Sequence, residues 1–377
     1  MTAVPLHHVV TGPEDGPVVV LVGSLGSTLE MWDGQVASLA ERFRVVRVDT
    51  RGHGRSPVPP GPYSLDDLVD DLVALLDSLG VTTASFVGLS LGGMTAMRLA
   101  ARHPERVDRL ALLCTSARFT DPTPWTDRAA TVRARGTAAV AEAVASRWVT
   151  PDAPDALRAA CVAMIAGIPP EGYASCCEAI AAMDLTADLP RITAPTLAIA
   201  GAADPATPPE HLRAIAAGIP GARLVVLPAA AHLPNLEQPA AIDAVLLAHL
   251  DPAGLSPYDR GMVVRREVLG SAHVDRAVAA TTPLTAPFQD LITRLAWGEV
   301  WSRPGLDRRT RSMLTVALLA ALGHEHELAL HVRAAVTNGL TPAEIGEVLL
   351  HTAVYAGMPA ANNALAVAQR VLEEDHT

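Results

Sequence analysis

The sequence predicts two successive folds in one chain: an α/β domain with a doubly wound, mostly parallel sheet and a helical cap, then an all-α domain. Short apolar runs alternate with helical stretches over residues 1–250. Between about 118 and 190 the strand signal stops, and Ala-rich helical segments predict the cap. A stretch with Asp, Pro and Gly at 251–259 predicts a linker, and residues 260–377 have helical patterns without strand alternation.

Six short apolar runs predict the strands of the sheet. They are continuously apolar, which is typical of parallel strands that helices cover on both faces. The runs are PVVVLVGS (17–24), FRVVRVDT (43–50), SFVGLS (85–90), RLALLCTS (109–116), PTLAIAGAAD (195–204) and ARLVVLPAAAH (222–232).

Composition and charge narrow the class of protein. The formal net charge of −11 disfavours nucleic acid and anionic membranes as partners, because both favour a basic surface. The N-terminus has no signal-peptide pattern, and no apolar run approaches the roughly 20 residues of a membrane span. The four cysteines lack zinc or C-x-x-C spacing. We therefore expect a reduced, cytoplasmic protein in which local arginines can still hold a small anionic substrate.

The stretch GLSLG at 88–92 contains the first candidate for catalysis. It follows an apolar strand and opens a helix, so its small residues permit a tight turn that exposes the Ser90 hydroxyl. Asp204 ends a later strand and His232 follows the last one. His232 can take the proton of Ser90 while Asp204 orients the imidazole. A buried turn serine, a helix-capping Asp and a loop His are the alternatives, but the context and the order Ser, Asp, His favour a catalytic triad.

The loop after the first strand, VGSLGS, predicts an oxyanion hole. Its backbone can present the N–H of Leu25 beside that of Leu91, the residue after the nucleophile. These two N–H groups would stabilise the negative oxygen of a tetrahedral intermediate.

Two segments give the first domain a more specific resemblance. GSLGSTLEMWD (23–33) and DTRGHGRS (49–56) resemble the 3-oxoadipate enol-lactonases of the α/β-hydrolase family. The sequence departs from that pattern at Ser27, where Thr is typical, and at Gly23, where Asn is common. The resemblance covers residues 4 to about 250 and implies hydrolysis of an enol-lactone to 3-oxoadipate.

The substrate implied by this resemblance carries a carboxylate, which needs a cation. The arginines in or near the cap are Arg118, Arg128, Arg133, Arg135 and Arg147, and the sequence does not choose among them. Trp125 and Trp148 are candidates for the inner face of the cap, with core packing as the alternative for both.

Residues 281–365 of the second domain predict four or five helices. The clearest is TPAEIGEVLLHTAVYAG, in which Thr341 is a candidate N-cap and Pro342 stands in the first turn. Glu344 completes a capping box with Thr341, and Gly357 ends the helix.

Residues 260–372 resemble 4-carboxymuconolactone decarboxylase almost end to end, through VLGSAHVDRA, FQDLITRLAWGEVWSRPGLDRRTRSML, ELALHVRAAVTNGLT and GMPAANNA. Peroxidase-reductase members of the wider superfamily carry a C-x-x-C ahead of a His on one helix. His324 and Glu327 occupy those positions here, ahead of His331. All cysteines lie in the first domain, which excludes thiol redox chemistry in the second. The resemblance implies decarboxylation without metal or cofactor, and ring-like homo-oligomers.

His324, Glu327 and His331 lie on one face of an ideal helix, because they are spaced i, i+3 and i+7. Three interpretations stay open: a solvated charged stripe, a metal site, and an acid/base pair in which Glu327 tunes His331. Candidates for holding the substrate are Arg308, Arg309, Arg311, His273, His324, Tyr355 and Asn362, with surface charge or helix packing as the alternative for each.

The two resemblances together imply a bifunctional enzyme of protocatechuate breakdown, because the product of the second domain's reaction is the substrate of the first. The implied partners are small anionic lactones and, through the C-terminal domain, further copies of the chain. Two alternatives stay open: a serine hydrolase of another ester, lactone or haloperoxidase-type substrate, and a helical domain that serves only in oligomerisation.

Overall fold

A computed structural model of the protein describes residues 2–251, 254, 256–303 and 305–374. The chain divides into two compact units, Met1–Leu250 and Asp251–Thr377, and each is described by itself. Three residues of the predicted linker lie outside the described ranges, namely Pro252, Ala253 and Leu255. No helix within the described ranges is both long enough and apolar enough to cross a bilayer.

The first unit contains a seven-stranded sheet. Its strands are β1 (His8–Thr11), β2 (Val18–Val22), β3 (Arg44–Val48), β4 (Ala84–Leu89), β5 (Val107–Leu113), β6 (Thr196–Gly201) and β7 (Arg223–Leu227). They follow the order β1-β3-β2-β4-β5-β6-β7, with β1 antiparallel to β3 and every other neighbouring pair parallel. The predicted mostly parallel sheet is confirmed, and its six predicted strands are β2 to β7.

Helices connect the strands of the first unit and form the cap. They are α1 (Asp33–Leu39), α2 (Leu65–Ser78), α3 (Leu91–Arg102), α4 (Thr123–Arg135), α5 (Ala138–Trp148), α6 (Asp155–Ala166), α7 (Pro170–Ala182), α8 (Pro209–Gly218), α9 (Pro234–Glu237) and α10 (Pro239–Leu250). Short 3-10 helices span Leu29–Trp32, Pro104–Arg106 and Leu189–Arg191. Helices α4 to α7 all lie between β5 and β6 in the chain, where the sequence predicts the cap.

The central strands are apolar because their side chains lie in the core. Val20 of β2, Phe86 of β4 and Leu112 of β5 are all inaccessible to solvent. Removal of this apolar surface from water is the main contribution to the stability of such a core. The sheet therefore gives a rigid support for the loops that follow its strands.

The second unit is helical. Its elements are α11 (Pro257–Leu269), α12 (Ser271–Ala279), α13 (Ala286–Ile292), a π-helix (Thr293–Trp301), α14 (Arg308–Leu322), α15 (Glu325–Thr337), α16 (Pro342–Ala356) and α17 (Met358–Glu374). One apolar cluster includes Val316, Leu328, Val332 and Leu349. A second, smaller cluster is formed by Val264, Val268, Trp297 and Ala334.

Helix α16 begins and ends where the sequence predicts. The Thr341 side chain accepts a hydrogen bond from the Glu344 N–H at 3.3 Å, and the Glu344 carboxylate accepts one from the Thr341 N–H at 2.9 Å. Gly357 follows the last turn with φ 94°, a conformation that glycine adopts without a steric penalty. The predicted capping box and glycine stop are therefore confirmed.

Candidate active sites

Ser90 occupies a strained turn between β4 and α3. Its backbone angles are φ 55° and ψ −114°, in a region that residues other than glycine rarely adopt. The surrounding backbone fixes this geometry: the Ser90 N–H donates to Leu113 O at 2.9 Å, and the Thr115 hydroxyl donates to Ser90 O at 2.7 Å. The turn holds the serine at the carboxyl end of a buried strand.

The glycines of GLSLG permit two close approaches at this turn. A Cβ atom at Gly92 would lie 2.2 Å from Val22 O, and one at Gly88 would lie 2.4 Å from Gly92 O. Both distances are far shorter than any van der Waals contact. The motif therefore reflects the backbone packing that brings the start of α3 against β2.

His232 and Asp204 form the pair that the sequence predicts. His232 Nδ1 lies 2.8 Å from Asp204 Oδ2, and the carboxylate also accepts hydrogen bonds from the Thr207 hydroxyl and from the Ala206 N–H, both at 2.8 Å. Burial opposes ionisation of Asp204, but the charge and hydrogen bond of His232 and the bonds from Thr207 outweigh it and lower the pKa of Asp204 to about 2. The carboxylate thus stays ionised and holds the His232 Nδ1–H.

Ser90 and His232 line the same cavity, whose volume is about 190 Å³. Within the described residues the Ser90 hydroxyl makes no hydrogen bond to His232. Catalytic hydrogen bonds are often long or misaligned in the absence of substrate, so this geometry is compatible with proton transfer in the complex. Leu25 also lines the cavity. Among the hydrogen bonds of the described chain, neither the Leu25 N–H nor the Leu91 N–H has a protein acceptor.

The loop that carries Leu25 is held by His53, which the sequence analysis did not single out. The Gly26 N–H donates to His53 Nε2 at 3.0 Å, and His53 Nδ1 lies 3.2 Å from Arg51 O. Burial lowers the pKa of His53 to about 4, so the ring is neutral at pH 7 and Nε2 can accept. The segment DTRGHGRS contains His53, but its hydrogen bond with Gly26 joins residues 27 positions apart in the chain, and no local sequence pattern predicts it.

The cap supplies the opposite wall of the cavity. Its contributions to the lining are Phe119, Asp121, Pro124, Trp125, Arg128, Val144, Arg147 and Trp148. Arg128 stacks over the Trp125 ring at 4.7 Å from its centroid. The other cap arginines lie elsewhere: Arg133 pairs with Glu171 and Glu178, Arg118 lies 3.4 Å from Asp184, and Arg135 is exposed outside the lining. Of the predicted cap residues, Arg128, Arg147, Trp125 and Trp148 therefore line the cavity.

In the second unit, His331 lies beside a pair of tryptophan rings that also contact each other. Its ring centroid is 6.4 Å from that of Trp297 and 6.4 Å from that of Trp301, and both pairs are stacked. Burial, and then the charge of His273, lower the pKa of His331 to about 4, while Glu327 opposes them. The structure therefore brings together His331, His273 and Glu327 of the predicted residues, beside two tryptophans that the sequence analysis left unassigned.

The remaining histidine and polar candidates lie on the surface. Helix α15 begins at Glu325, so His324 is its N-cap, with φ −85° and ψ 73°, and does not continue the helical face of His331. Tyr355 is 79% exposed and contacts the His351 ring at 5.0 Å. Asn362 is exposed on α17.

The three predicted arginines of LDRRTRS make contacts that hold the helices together. Arg308 pairs with Glu267, and Arg309 pairs with Glu344 and also donates to Gly339 O. Arg311 donates to the carbonyl oxygens of Leu306 at 3.2 Å and of Arg303 at 3.0 Å. A different arginine, Arg265 of α11, is buried in the unit and was missed by the sequence analysis.

Comparison with known proteins agrees with this geometry. The family described as alpha/beta hydrolase fold matches residues 17–239, more than half of the chain, and the carboxymuconolactone decarboxylase family matches residues 286–370. The first unit is 39% identical to 3-oxoadipate enol-lactonase 2 of Acinetobacter baylyi over 244 residues, which are 64% of this chain and 91% of that protein. The second is 50% identical to 4-carboxymuconolactone decarboxylase of the same organism over 117 residues, 31% of this chain and 87% of that protein. The chain belongs to both families.

A solved structure supports the assignment of the hydrolase unit. The enol-lactonase from Burkholderia xenovorans LB400 superimposes with a TM-score of 0.64 and 42% sequence identity, covering 65% of this chain and 96% of that one. The hydrolase unit thus contains the assembled Ser90, His232 and Asp204, and the decarboxylase unit contains His331 and its aromatic neighbours.

Proposed function

We propose that this chain catalyses two consecutive reactions of protocatechuate breakdown. The decarboxylase unit converts 4-carboxymuconolactone to 3-oxoadipate enol-lactone, and the hydrolase unit opens that enol-lactone to 3-oxoadipate. The observation that carries the proposal is the presence, in one chain, of two units whose relatives act on consecutive intermediates. All residues proposed for each step lie within one unit, so we also propose that residues 251–259 link two separate catalysts.

The hydrolase step uses the triad in the ordinary order of acyl transfer. Ser90 attacks the lactone carbonyl, His232 accepts the hydroxyl proton, and Asp204 stabilises the resulting imidazolium. The negative oxygen of the tetrahedral intermediate points to the N–H groups of Leu25 and Leu91. The ring C–O bond then breaks, and the leaving oxygen takes the proton from His232 to become an enol. The enol converts to a ketone, which draws ring opening forward. Water then attacks the acyl-enzyme with His232 as base.

The decarboxylation needs few protein groups because the substrate is its own electron sink. The bond between the ring carbon and the departing carboxylate breaks, and its electron pair moves through the C=C bond to the lactone carbonyl oxygen. A proton then joins the carbon beside that carbonyl. His331 is the proposed proton donor, because it is a half-buried imidazole whose pKa is lowered to about 4 and whose ring stacks beside two tryptophans. Glu327 tunes it.

Arg128 is the proposed anchor for the carboxylate of the enol-lactone. It lines the cavity above Ser90, and its stacking on Trp125 holds the guanidinium in place. In the Arg128→Gln variant we expect the KM for enol-lactone to rise roughly 10-fold, the effect of one lost hydrogen bond to a charged group. Arg135→Gln is the matched control on the same helix, and it should leave KM unchanged. Equal KM values in both variants would transfer the role to Arg147.

The decarboxylase unit is also the proposed site of self-association. It exposes apolar side chains at regular spacing, with Leu314, Leu318 and Leu322 along α14 and Leu350 and Val354 on α16. Soluble monomers rarely expose contiguous apolar patches of this kind. We therefore propose a homo-oligomer, formed in the cytoplasm through this unit. A monomer in sedimentation velocity at micromolar concentration would contradict it.

The proposed function is tested with the purified full-length chain and 4-carboxymuconolactone. Carbon dioxide and 3-oxoadipate should both appear, at rates far above those in buffer. The absence of carbon dioxide would contradict the decarboxylase assignment and favour a helical unit that serves only in assembly. Carbon dioxide release with accumulating enol-lactone would contradict the lactonase assignment and leave another ester or lactone as the substrate of Ser90.

A further inference from the structure

Arg265 is a buried cation that has no acidic partner among the described residues. Its side chain lies on α11, the residue is only 8% exposed, and Nη1 donates to the Thr293 hydroxyl at 3.2 Å. The Nε atom is fully buried and makes no hydrogen bond. Among the described residues no carboxylate lies within ion-pair distance of this guanidinium. Buried arginines are ordinarily paired, because an unpaired charge in the interior is strongly unfavourable.

The helix crossing beneath Arg265 is unusually close. A Cβ atom at Gly261 of α11 would lie 2.0 Å from Thr293 O, and one at Gly298 would lie 1.9 Å from Pro257 O. The π-helix begins at Thr293 and carries Trp297 and Trp301 at successive intervals of four residues. Such helices are rare and are frequent at functional sites. The crossing therefore brings Arg265 to the start of the element that bears both tryptophans.

The same region contains the proposed proton donor. His331 stacks with Trp297 and Trp301, and Trp297 packs with Val264 and Val268 of α11, one residue before and three residues after Arg265. Burial and then the charges of Arg276 and Arg265 lower the pKa of His273, whose charge in turn lowers the pKa of His331. Arg265, His273 and His331 thus lie within electrostatic reach of one another, in a region with positive charge and little compensation.

We propose that Arg265 binds the carboxylate that the substrate keeps during decarboxylation. The inference rests on the decarboxylase function proposed above. 4-Carboxymuconolactone carries two carboxylates, and only one leaves. A cation on the departing carboxylate would stabilise the ground state and oppose the reaction, because its negative charge moves into the ring in the transition state. A cation on the retained carboxylate orients the ring and leaves the departing group free to lie against the tryptophans.

A purely structural role for Arg265 predicts different behaviour. If Arg265 only holds Thr293, its removal should lower Tm and leave substrate binding unchanged. If it is a substrate anchor, Arg265→Met should keep or raise Tm, because the variant removes an unpaired buried charge. The same variant should raise the KM for 4-carboxymuconolactone roughly 10- to 100-fold, with a much smaller change in kcat. The KM of Arg265→Lys should lie between those of Arg265→Met and the wild type, because lysine keeps the positive charge but lacks the planar guanidinium that can bind both carboxylate oxygens.

Arg266 provides the matched control on the same helix. Its guanidinium pairs with Asp275 at 2.6 Å on the surface, so Arg266→Gln should keep both the wild-type KM and the wild-type Tm. The kinetic measurements use the full-length chain, and carbon dioxide release is the readout. A wild-type KM in Arg265→Met would overturn the inference, as would an equal rise of KM in Arg266→Gln.

A binding experiment separates this inference from the proposed reaction. The probe is 5-oxotetrahydrofuran-2-acetate, a saturated lactone whose single carboxylate corresponds to the one that the substrate keeps, titrated calorimetrically into the full-length Ser90→Ala variant to prevent its hydrolysis. Relative to γ-butyrolactone, which lacks the carboxylate, the probe should show one carboxylate-dependent binding event in each unit. The further substitution Arg265→Met should remove the event of the decarboxylase unit and leave that of the hydrolase cavity, where Arg128 is the proposed anchor. If the wild type fails to decarboxylate 4-carboxymuconolactone but binding of the probe depends on Arg265, the anion site is supported and the proposed decarboxylation is contradicted. If binding of the probe is independent of Arg265, Arg265 is not the carboxylate anchor, even if the wild type decarboxylates 4-carboxymuconolactone.

Discussion

Replacing Ser90 with alanine is expected to remove nearly all enol-lactone hydrolysis, a loss on the order of 10⁶-fold, because nucleophile and base act as a unit in a Ser-His-Asp triad. Carbon dioxide release from 4-carboxymuconolactone should continue. The fold should persist, since alanine meets the same steric penalty as serine at φ 55°. Chromatography of timed samples should show enol-lactone accumulating in place of 3-oxoadipate, apart from slow spontaneous opening.

Ser85 offers the matched control for this experiment. It is a buried serine on β4, the strand that ends just before Ser90, and its hydroxyl contacts Asp108 at 3.3 Å, away from the cavity. Ser85→Ala should retain both activities. Formation of 3-oxoadipate at the wild-type rate by Ser90→Ala would exclude Ser90 as the nucleophile. Loss of carbon dioxide release in the same variant would show that the two units are not independent catalysts.

Most strands of the sheet are predictable from the sequence because their residues are buried and therefore apolar. Continuous apolar runs predict strands β2 to β7, and for β2, β4, β5 and β6 the structure explains the continuity by burial. Strand β7 has an apolar run although it is the edge strand opposite β1 and only its Leu227 is buried. The missed strand β1 has four residues, HVVT, that are half-buried or exposed. It lies at the edge of the sheet and pairs antiparallel with β3, so its sequence carries no long apolar signal. Two valines between polar residues are also common in loops, so the sequence of β1 does not predict a strand.

The arginine predictions show where sequence spacing loses information. Arg308 and Arg309 stood out as a basic cluster, but their acidic partners, Glu267 and Glu344, are 41 and 35 residues away in the chain. Such pairs depend on helix packing that local patterns do not contain. Arg265 was passed over for the converse reason, because nothing in VVRREV distinguishes a buried arginine from the exposed one beside it. The triad was predictable because its motif determines a backbone turn.

Removing the imidazole of His331 is expected to lower the decarboxylation rate by about 10² to 10⁴-fold, the usual loss when a general acid is removed. His331→Gln is preferred to alanine because it fills more of the space beside Trp297 and Trp301. Hydrolysis of enol-lactone supplied directly should stay at the wild-type rate, since His331 and Ser90 lie in different units. Carbon dioxide release and 3-oxoadipate formation, measured separately, check both expectations.

His326 is the matched control for His331. It lies on the same helix, but its side chain is exposed. His326→Gln should therefore retain full decarboxylation. An unchanged rate in His331→Gln would transfer proton donation to another side chain, with His273 the next to replace.

The pH dependence of decarboxylation tests how His331 delivers the proton. Burial and the charge of His273 lower its pKa to about 4, so the free protein holds a neutral imidazole at pH 7. A bound substrate with two carboxylates raises that pKa, because nearby negative charge favours the imidazolium. If the imidazolium is the donor, kcat/KM falls as pH rises above about 4, whereas kcat stays high until pH passes the raised pKa of the complex. Rates measured between about pH 4 and pH 9 should show this separation in wild type and not in His331→Gln. A wild-type kcat that is flat over the whole range would contradict an imidazolium donor.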